Sequence, residues 1–437
     1  MDTAWETRRS ERTGEAVLTK VFPSGLRVHV LPKPGFQRKI CLLVFRYGSL
    51  HGRFLPPGHT TPVESPPGVA HFLEHRIFQR EEGDAFYRFA SLGASSNAGT
   101  SYTNTVYYFS CVENFYEALA ILLSFTQGVL LDPRDVEREK DIIEEEIRGF
   151  RDNPGAMAYE RLMACLFQES RVRFDIVGTP ESVRATTCEQ LRAAFDTFYH
   201  PGNAELVVSG DLEPAVLYES IAGHPAASAP GSPGKALPVE EPFHVASRGA
   251  RLHMLVHRPK FLLGFKEDTP GAPGPALALR QTESMITLSA LFGRASDFYR
   301  RAYGEGLVDE SFSAHSTVEP GLATTVFSAD TDDPEALAGR IFRTLDHAKR
   351  EGVDPGDVER LLKRSRGRYL RSFNHPESAS FALLQSALQG VHLLDVPDLL
   401  DRITPEGIAQ RLGSSCDPAR HARSVVLPLP GRAGPGG

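Results

Sequence analysis

The stretch Gly68-Val69-Ala70-His71-Phe72-Leu73-Glu74-His75 constrains this chain more than any other. Pro66, Pro67 and Gly68 are helix-start punctuation ahead of it. On a helix of about 100° per residue, His71, Glu74 and His75 share an arc of roughly 100° on one face. Two neutral imidazoles so placed are half of a tetrahedral zinc site, and an intervening carboxylate that is not a ligand can take a proton from water. His-x-x-Glu-His, the inverse of His-Glu-x-x-His, is a zinc-peptidase signature. The same five residues also suit an ordinary half-exposed helix, so the reading turns on a third ligand.

A second helical pattern supplies a candidate. Pro133 sits well at its first turn, and Val136, Ile143, Ile147 and Phe150 form an apolar stripe about 60° wide. Glu139 and Glu146, seven residues apart, fall on or just beside that stripe, while Glu137, Glu144, Glu145 and Arg148 project elsewhere. A carboxylate aimed at the core is costly unless it is paired or binds a metal. Glu146 is therefore the expected third zinc ligand, and Glu139 the expected partner that orients a zinc-binding histidine. The competing reading is a charge-rich solvated helix with a frayed apolar face.

Between the two helices, residues 93–110 run from small and polar to β-branched and aromatic, as strands near a sheet edge do. An edge strand close to a metal can receive an extended peptide through its main chain; a plain hairpin fits the residues equally well. Upstream, Val17 to Leu31 reads as two strands around Pro23-Ser24-Gly25, and Ile40 to Phe45 is apolar enough for a central strand.

With 437 residues, of which 41% are hydrophobic and 24% charged, the chain is long enough for two domains. Its 55 acidic and 48 basic residues leave no positive excess that would point to nucleic acid. The first residues have no apolar stretch of the signal-peptide kind, and no segment reaches ~18 unbroken apolar residues, so no membrane partner and a cytoplasmic location are expected. The five cysteines are far apart and never in Cys-x-x-Cys spacing, which fits reduced thiols.

A wider set of residues recurs in a known order: His71 to His75, Asn97-Ala98, Glu139 to Ile147, Asp152-Asn153-Pro154, Asp175 to Val183 and Phe198-Tyr199-His200-Pro201. Together they resemble the pitrilysin-like (insulinase-type) zinc peptidases, closest to the bacterial processing-protease branch. The resemblance implies one zinc ion per chain held by His71, His75 and Glu146, Glu74 as general base, Glu139 as accessory carboxylate, and Asn97 and Ala98 beside the substrate. It also implies an α+β fold of two similar αβ domains, each an antiparallel-rich sheet with helices packed on one face. Two such pairs enclose a chamber that limits substrate size.

The shift to Ala, Pro, Gly and Ser after Gly223 marks a linker. The expected layout is a zinc-binding domain at 1–222, the linker at 223–242, a second homologous domain at 243–427 and a disordered tail at 428–437. In the second domain, His253 and His257 read as strand residues set apart along one face, Gln281 to Gly304 as a long helical pattern, and Asp357 to Phe373 as a basic helix whose charges face solvent or an interface. Self-sufficient relatives carry an Arg and a Tyr there, seven residues apart around a Gly-Leu step. Aligned on Gly306-Leu307, those places hold Ala302 and Asp309, with Arg300, Arg301 and Tyr303 close by at the wrong spacing. A carboxylate in that place would repel a developing oxyanion.

The resulting expectation is a zinc endopeptidase subunit acting on short unstructured or leader peptides, with a homologous zinc-less partner supplying the Arg and Tyr. Two alternatives stay open: a non-catalytic structural or peptide-binding subunit, and a zinc hydrolase of non-peptide substrates.

Overall fold

The structure is a computed structural model and describes residues 5–430. Of the expected tail, 431–437 lie outside the described residues, and Pro428 is the last residue of a strand.

Two sheets organise the chain, each built on the same plan. The first runs Glu6–Arg9, Ala16–Val21, Arg27–Pro32, Ala204–Gly210, Lys39–Phe45, Thr105–Cys111, Ser95–Thr100. The second runs Gly249–Met254, His421–Pro428, Lys260–Lys266, Leu322–Asp330, Ser313–Glu319. From Arg27–Pro32 onward the first sheet repeats the order of the second, with one parallel pair in each and the rest antiparallel. The expected two-domain α+β fold is therefore what the chain adopts, and the two leading strands are an addition to the first half.

Lys39–Phe45 shows why the first sheet is buried on both sides. Cys41, Leu43 and Phe45 join the core under that half's own helices, while Leu42 and Val44 on the opposite face pack against Leu383 and Leu384. Those two leucines belong to helix Pro376–Leu388 of the second half. The exchange is mutual. Helix Pro154–Leu166, from the first half, puts Leu162 and Leu166 against Leu262 and Val426 of the second sheet. Close approach there depends on Gly264, where an added Cβ would come within 2.9 Å of both leucines. Each sheet thus has its own helices on one face and one borrowed helix on the other.

Between the sheets, Lys235–Ala236 pairs with Phe54 and Leu55, and the Glu241 carboxylate accepts the backbone N–H groups of Gln168, Glu169 and Ser170 and the ammonium of Lys266. Three expectations need correction. The pattern from Gln281 to Gly304 is two helices, Pro275–Phe292 and Asp297–Gly304, because Gly293 ends the first and the Ser296 side chain caps the second at Tyr299. Phe150, placed on the apolar stripe of helix Pro133–Arg151, is 41% exposed; the stripe closes at Ile147, since the core does not extend along the last turn. His253 lies in strand Gly249–Met254 as expected, and His257 falls past its end.

Candidate metal and catalytic centre

The helix bearing the motif, Val69–Ile77, starts where two glycines meet. Gly68 has φ +93°, and a Cβ on it would stand 2.6 Å from the carbonyl oxygen of Val177. Gly178 has φ +87°, and a Cβ there would stand 2.7 Å from the carbonyl of Pro67. Left-handed backbone and close approach both call for glycine, so these two positions seat the helix on the turn at 175–178. Val69, Ala70, Phe72, Leu73 and Ile77 then anchor its other side in the core.

The helix and Pro133–Arg151 bring His71, His75 and Glu146 together. Nε2 of His71 and Nε2 of His75 each lie 3.6 Å from the same oxygen of Glu146. Among the described residues these three form the one group of histidine, cysteine and carboxylate donors compact enough to hold a metal ion, all within 4.8 Å of one another. Donors around tetrahedral zinc sit about 3.3 Å apart, so the set fits that ion and leaves a fourth position open.

The surroundings fix the donor atom of His75, while Nδ1 of His71 is buried with no hydrogen-bond partner among the described residues. Nδ1 of His75 is 2.9 Å from Glu139, which leaves Nε2 free toward Glu146. Glu139 in turn accepts from Arg76 at 3.3 Å, and Arg76 also reaches the carbonyl of Leu130. Burial alone would lower the His75 pKa, but Glu139, Glu146 and Glu74 outweigh it and hold it above the usual histidine value. Burial would likewise raise Glu139, and is outweighed by His75 and Arg76, so its carboxyl stays below the usual range. His71 is buried, and burial, aided by His75, pushes its pKa down to about 3. It is a neutral imidazole throughout the physiological range, as a metal ligand must be. Burial raises the carboxyl of half-exposed Glu146.

Glu74 is not part of the donor group. Its Oε2 accepts a hydrogen bond of 2.5 Å from the Thr100 hydroxyl at the end of edge strand Ser95–Thr100. Burial raises its pKa, and the Thr100 bond opposes that shift. The result is a carboxyl held at one oxygen with its pKa above the ordinary glutamate value. Asn97 and Ala98 lie on the same strand, which forms the edge of its sheet, and the Asn97 side chain accepts from the backbone N–H of Ala98.

Sequence reasoning missed Thr100 and Arg76. Arg76 follows the motif directly and is 3% exposed, but nothing in its spacing shows a carboxylate coming from 63 residues away. Ala302 is fully buried in the second core, and Asp309 is paired with Arg258 at 2.7 Å. Neither position offers a donor.

The sequence and fold have relatives. The chain is 34% identical over 402 residues to an uncharacterized zinc protease, YmfH, of Bacillus subtilis, which covers 91% of this chain and 93% of that protein. The chain belongs to peptidase family M16, the insulinase family. The M16 family model matches residues 56–180, and the model described as the M16 inactive domain matches residues 186–365. The crystal structure of an M16-like peptidase from Alicyclobacillus acidocaldarius superimposes with a TM-score of 0.90 at 34% identity, covering 98% of this chain and all of that one. Over 171 residues, 38% of this chain and 37% of the relative, it is 27% identical to the mitochondrial-processing peptidase subunit beta of Blastocladiella emersonii. The M16 relatives named here are zinc proteases or peptidases, and the donor group lies inside the first matched region.

Proposed function

We propose that this chain is the metal-bearing subunit of a zinc endopeptidase, holding one zinc ion through His71, His75 and Glu146. The observation that carries the reading is the compact donor group with a separate, hydrogen-bonded carboxylate, Glu74, on the same helix turn. When bound, zinc supplies a Lewis acid for the scissile carbonyl and lowers the pKa of a water at the open position. Glu74 takes the proton of the attacking water and hands it to the leaving amine, with Thr100 fixing which carboxylate oxygen faces the reaction. Glu139 keeps His75 in the tautomer whose Nε2 is free. The substrate is an extended peptide lying along Ser95–Thr100, where Asn97 releases the Ala98 N–H to a substrate carbonyl.

The two positions from which the resemblance draws an oxyanion donor supply none here, since Ala302 is a core residue and Asp309 is bound to Arg258. A homologous zinc-less chain contributing an Arg and a Tyr completes the site, and the relative named as a processing-peptidase subunit supports an assembly of this kind. Short unstructured or leader peptides are the substrate class. Among the described residues no helix is long and apolar enough to cross a membrane, and we place the enzyme in the cytoplasm. We divide the chain at 1–222, 223–242 and 243–427, with helices Pro154–Leu166 and Pro376–Leu388 exchanged across the division.

The test is mass-spectrometric cleavage of a mixed peptide library by zinc-loaded protein, with Glu74→Gln as the control. Cleavage falling by about 10²–10⁴-fold in the control is the expected result. Cleavage that survives Glu74→Gln would refute the assigned base. Wild-type rates that a homologous zinc-less chain leaves unchanged would refute the two-subunit assembly.

A further inference from the structure

In the second half, a cavity of about 570 Å³ lies between helices Pro275–Phe292, Pro355–Ser372 and Pro376–Leu388 and the edge strand Ser313–Glu319. It is within the ~300–1,000 Å³ range of small-molecule sites. Met285, Val318, Ala382, Leu393, Val396 and Leu400 give it an apolar wall. Gln281, Ser316 and Tyr369 also line it, but the Gln281 Oε1 and the Ser316 and Tyr369 hydroxyls lie beneath its surface and do not open into it.

The charges at the cavity mouth narrow the choice. On helix Pro355–Ser372, Arg360, Lys363 and Arg366 pair with Asp357, Glu359 and Asp401. Arg368 borders the cavity, Arg364 borders the recess continuous with it, and neither has an ion-pair partner among the described residues. One turn apart on a helix, they present two cations on one side. Glu319, which accepts from the Thr103 hydroxyl at 2.8 Å, is the one carboxylate among the described residues of its lining. Strand addition along Ser313–Glu319 is obstructed, because the Gln281 amide already donates to the Ser316 carbonyl at 3.0 Å.

We propose that this cavity binds a small molecule combining an apolar tail and one carboxylate. The carboxylate meets Arg368 and Arg364, and the tail fills the apolar wall. An N-acyl amino acid has this chemistry, and so does the C-terminal end of an apolar peptide. The site is distinct from the metal centre, and its binding assay does not depend on peptidase activity.

Isothermal titration calorimetry of the full chain with N-octanoylglycine and, separately, acetyl-leucyl-leucine tests the inference. Saturable one-to-one binding is expected, weakened about tenfold or more by Arg364→Gln with Arg368→Gln and by esterifying the probe's carboxylate. Tighter binding of the first probe assigns the site to acyl amino acids, and tighter binding of the second to peptide ends. Both arginines are exposed and have no ion-pair partner among the described residues, so their replacement leaves the fold intact; Ala382→Phe, which fills the cavity, provides a second loss of binding. Absence of saturable binding by either probe up to about 1 mM, or equal affinity in the arginine variant or for the ester, would overturn the proposal.

Discussion

At the scale of single residues, the centre separates roles that the sequence places side by side. His75 is held by Glu139 at Nδ1, and Glu74, its immediate neighbour, is held by Thr100. Glu139→Gln keeps the side chain's size but removes the charge that orients His75. Zinc affinity is expected to fall about 10–100-fold, read by competition with a chromophoric chelator. The pH dependence of that affinity has a definite sign. His75 carries a pKa raised by its carboxylate neighbours, and the metal must displace its proton. Zinc binding should therefore weaken as pH falls through the raised His75 value, whereas His71, neutral down to about 3, adds nothing over that window. A zinc affinity independent of pH between neutrality and 5 would contradict this assignment.

At the scale of elements, the motif helix and the carboxylate helix were legible because both combine a start signal with an apolar stripe at helical spacing. Pro133 does stand at the first helical position, capped by Asp132, and Val136, Ile143 and Ile147 are buried. The edge strand was legible as two short runs, and it does end its sheet. The break at Gly293 was not, since the apolar spacing continues through it and only the Ser296 cap reveals the second helix. The exchanged helices were beyond reach for a different reason. Pro154–Leu166 and Pro376–Leu388 are amphipathic, but spacing does not tell an element which sheet will cover it. One such contact is polar. Glu205, on a central strand, accepts from Arg46 and pairs with His29, while Arg46 also reaches the carbonyl of Ala387 at the end of the borrowed helix. Burial alone would raise the Glu205 pKa, yet His29 and Arg46 hold it at about 2, below its ordinary 4.5. A depressed folded-state pKa adds stability that is complete above about pH 4.5 and is lost as pH falls toward 2. Glu205→Gln is expected to cost roughly 3 kcal/mol at pH 7 and to flatten that acid limb, as measured by urea denaturation across the window.

At the scale of the whole molecule, the chain is two copies of one sheet plan, and among the described residues the compact donor group of His71, His75 and Glu146 lies in only one of them. The first edge strand, Ser95–Thr100, meets Glu74 through Thr100, and its counterpart, Ser313–Glu319, borders the apolar cavity. The Thr103–Glu319 hydrogen bond joins the ends of the two edges, so the halves meet next to the centre. This division explains why one half reads so clearly in sequence: a metal site demands fixed residue types at fixed spacing, whereas an apolar cavity with two cations at its mouth imposes no such spacing. The central claim is that His71, His75 and Glu146 hold zinc while Glu74 stands apart as the base. Zinc-to-protein stoichiometry and affinity, measured on the wild type, Glu146→Gln and Glu74→Gln, test it most directly. The account predicts one zinc per chain in the wild type and in Glu74→Gln, with affinity weakened at least tenfold in Glu146→Gln. A wild-type chain that binds no zinc, or a Glu146→Gln variant that binds it as tightly as the wild type, would contradict it.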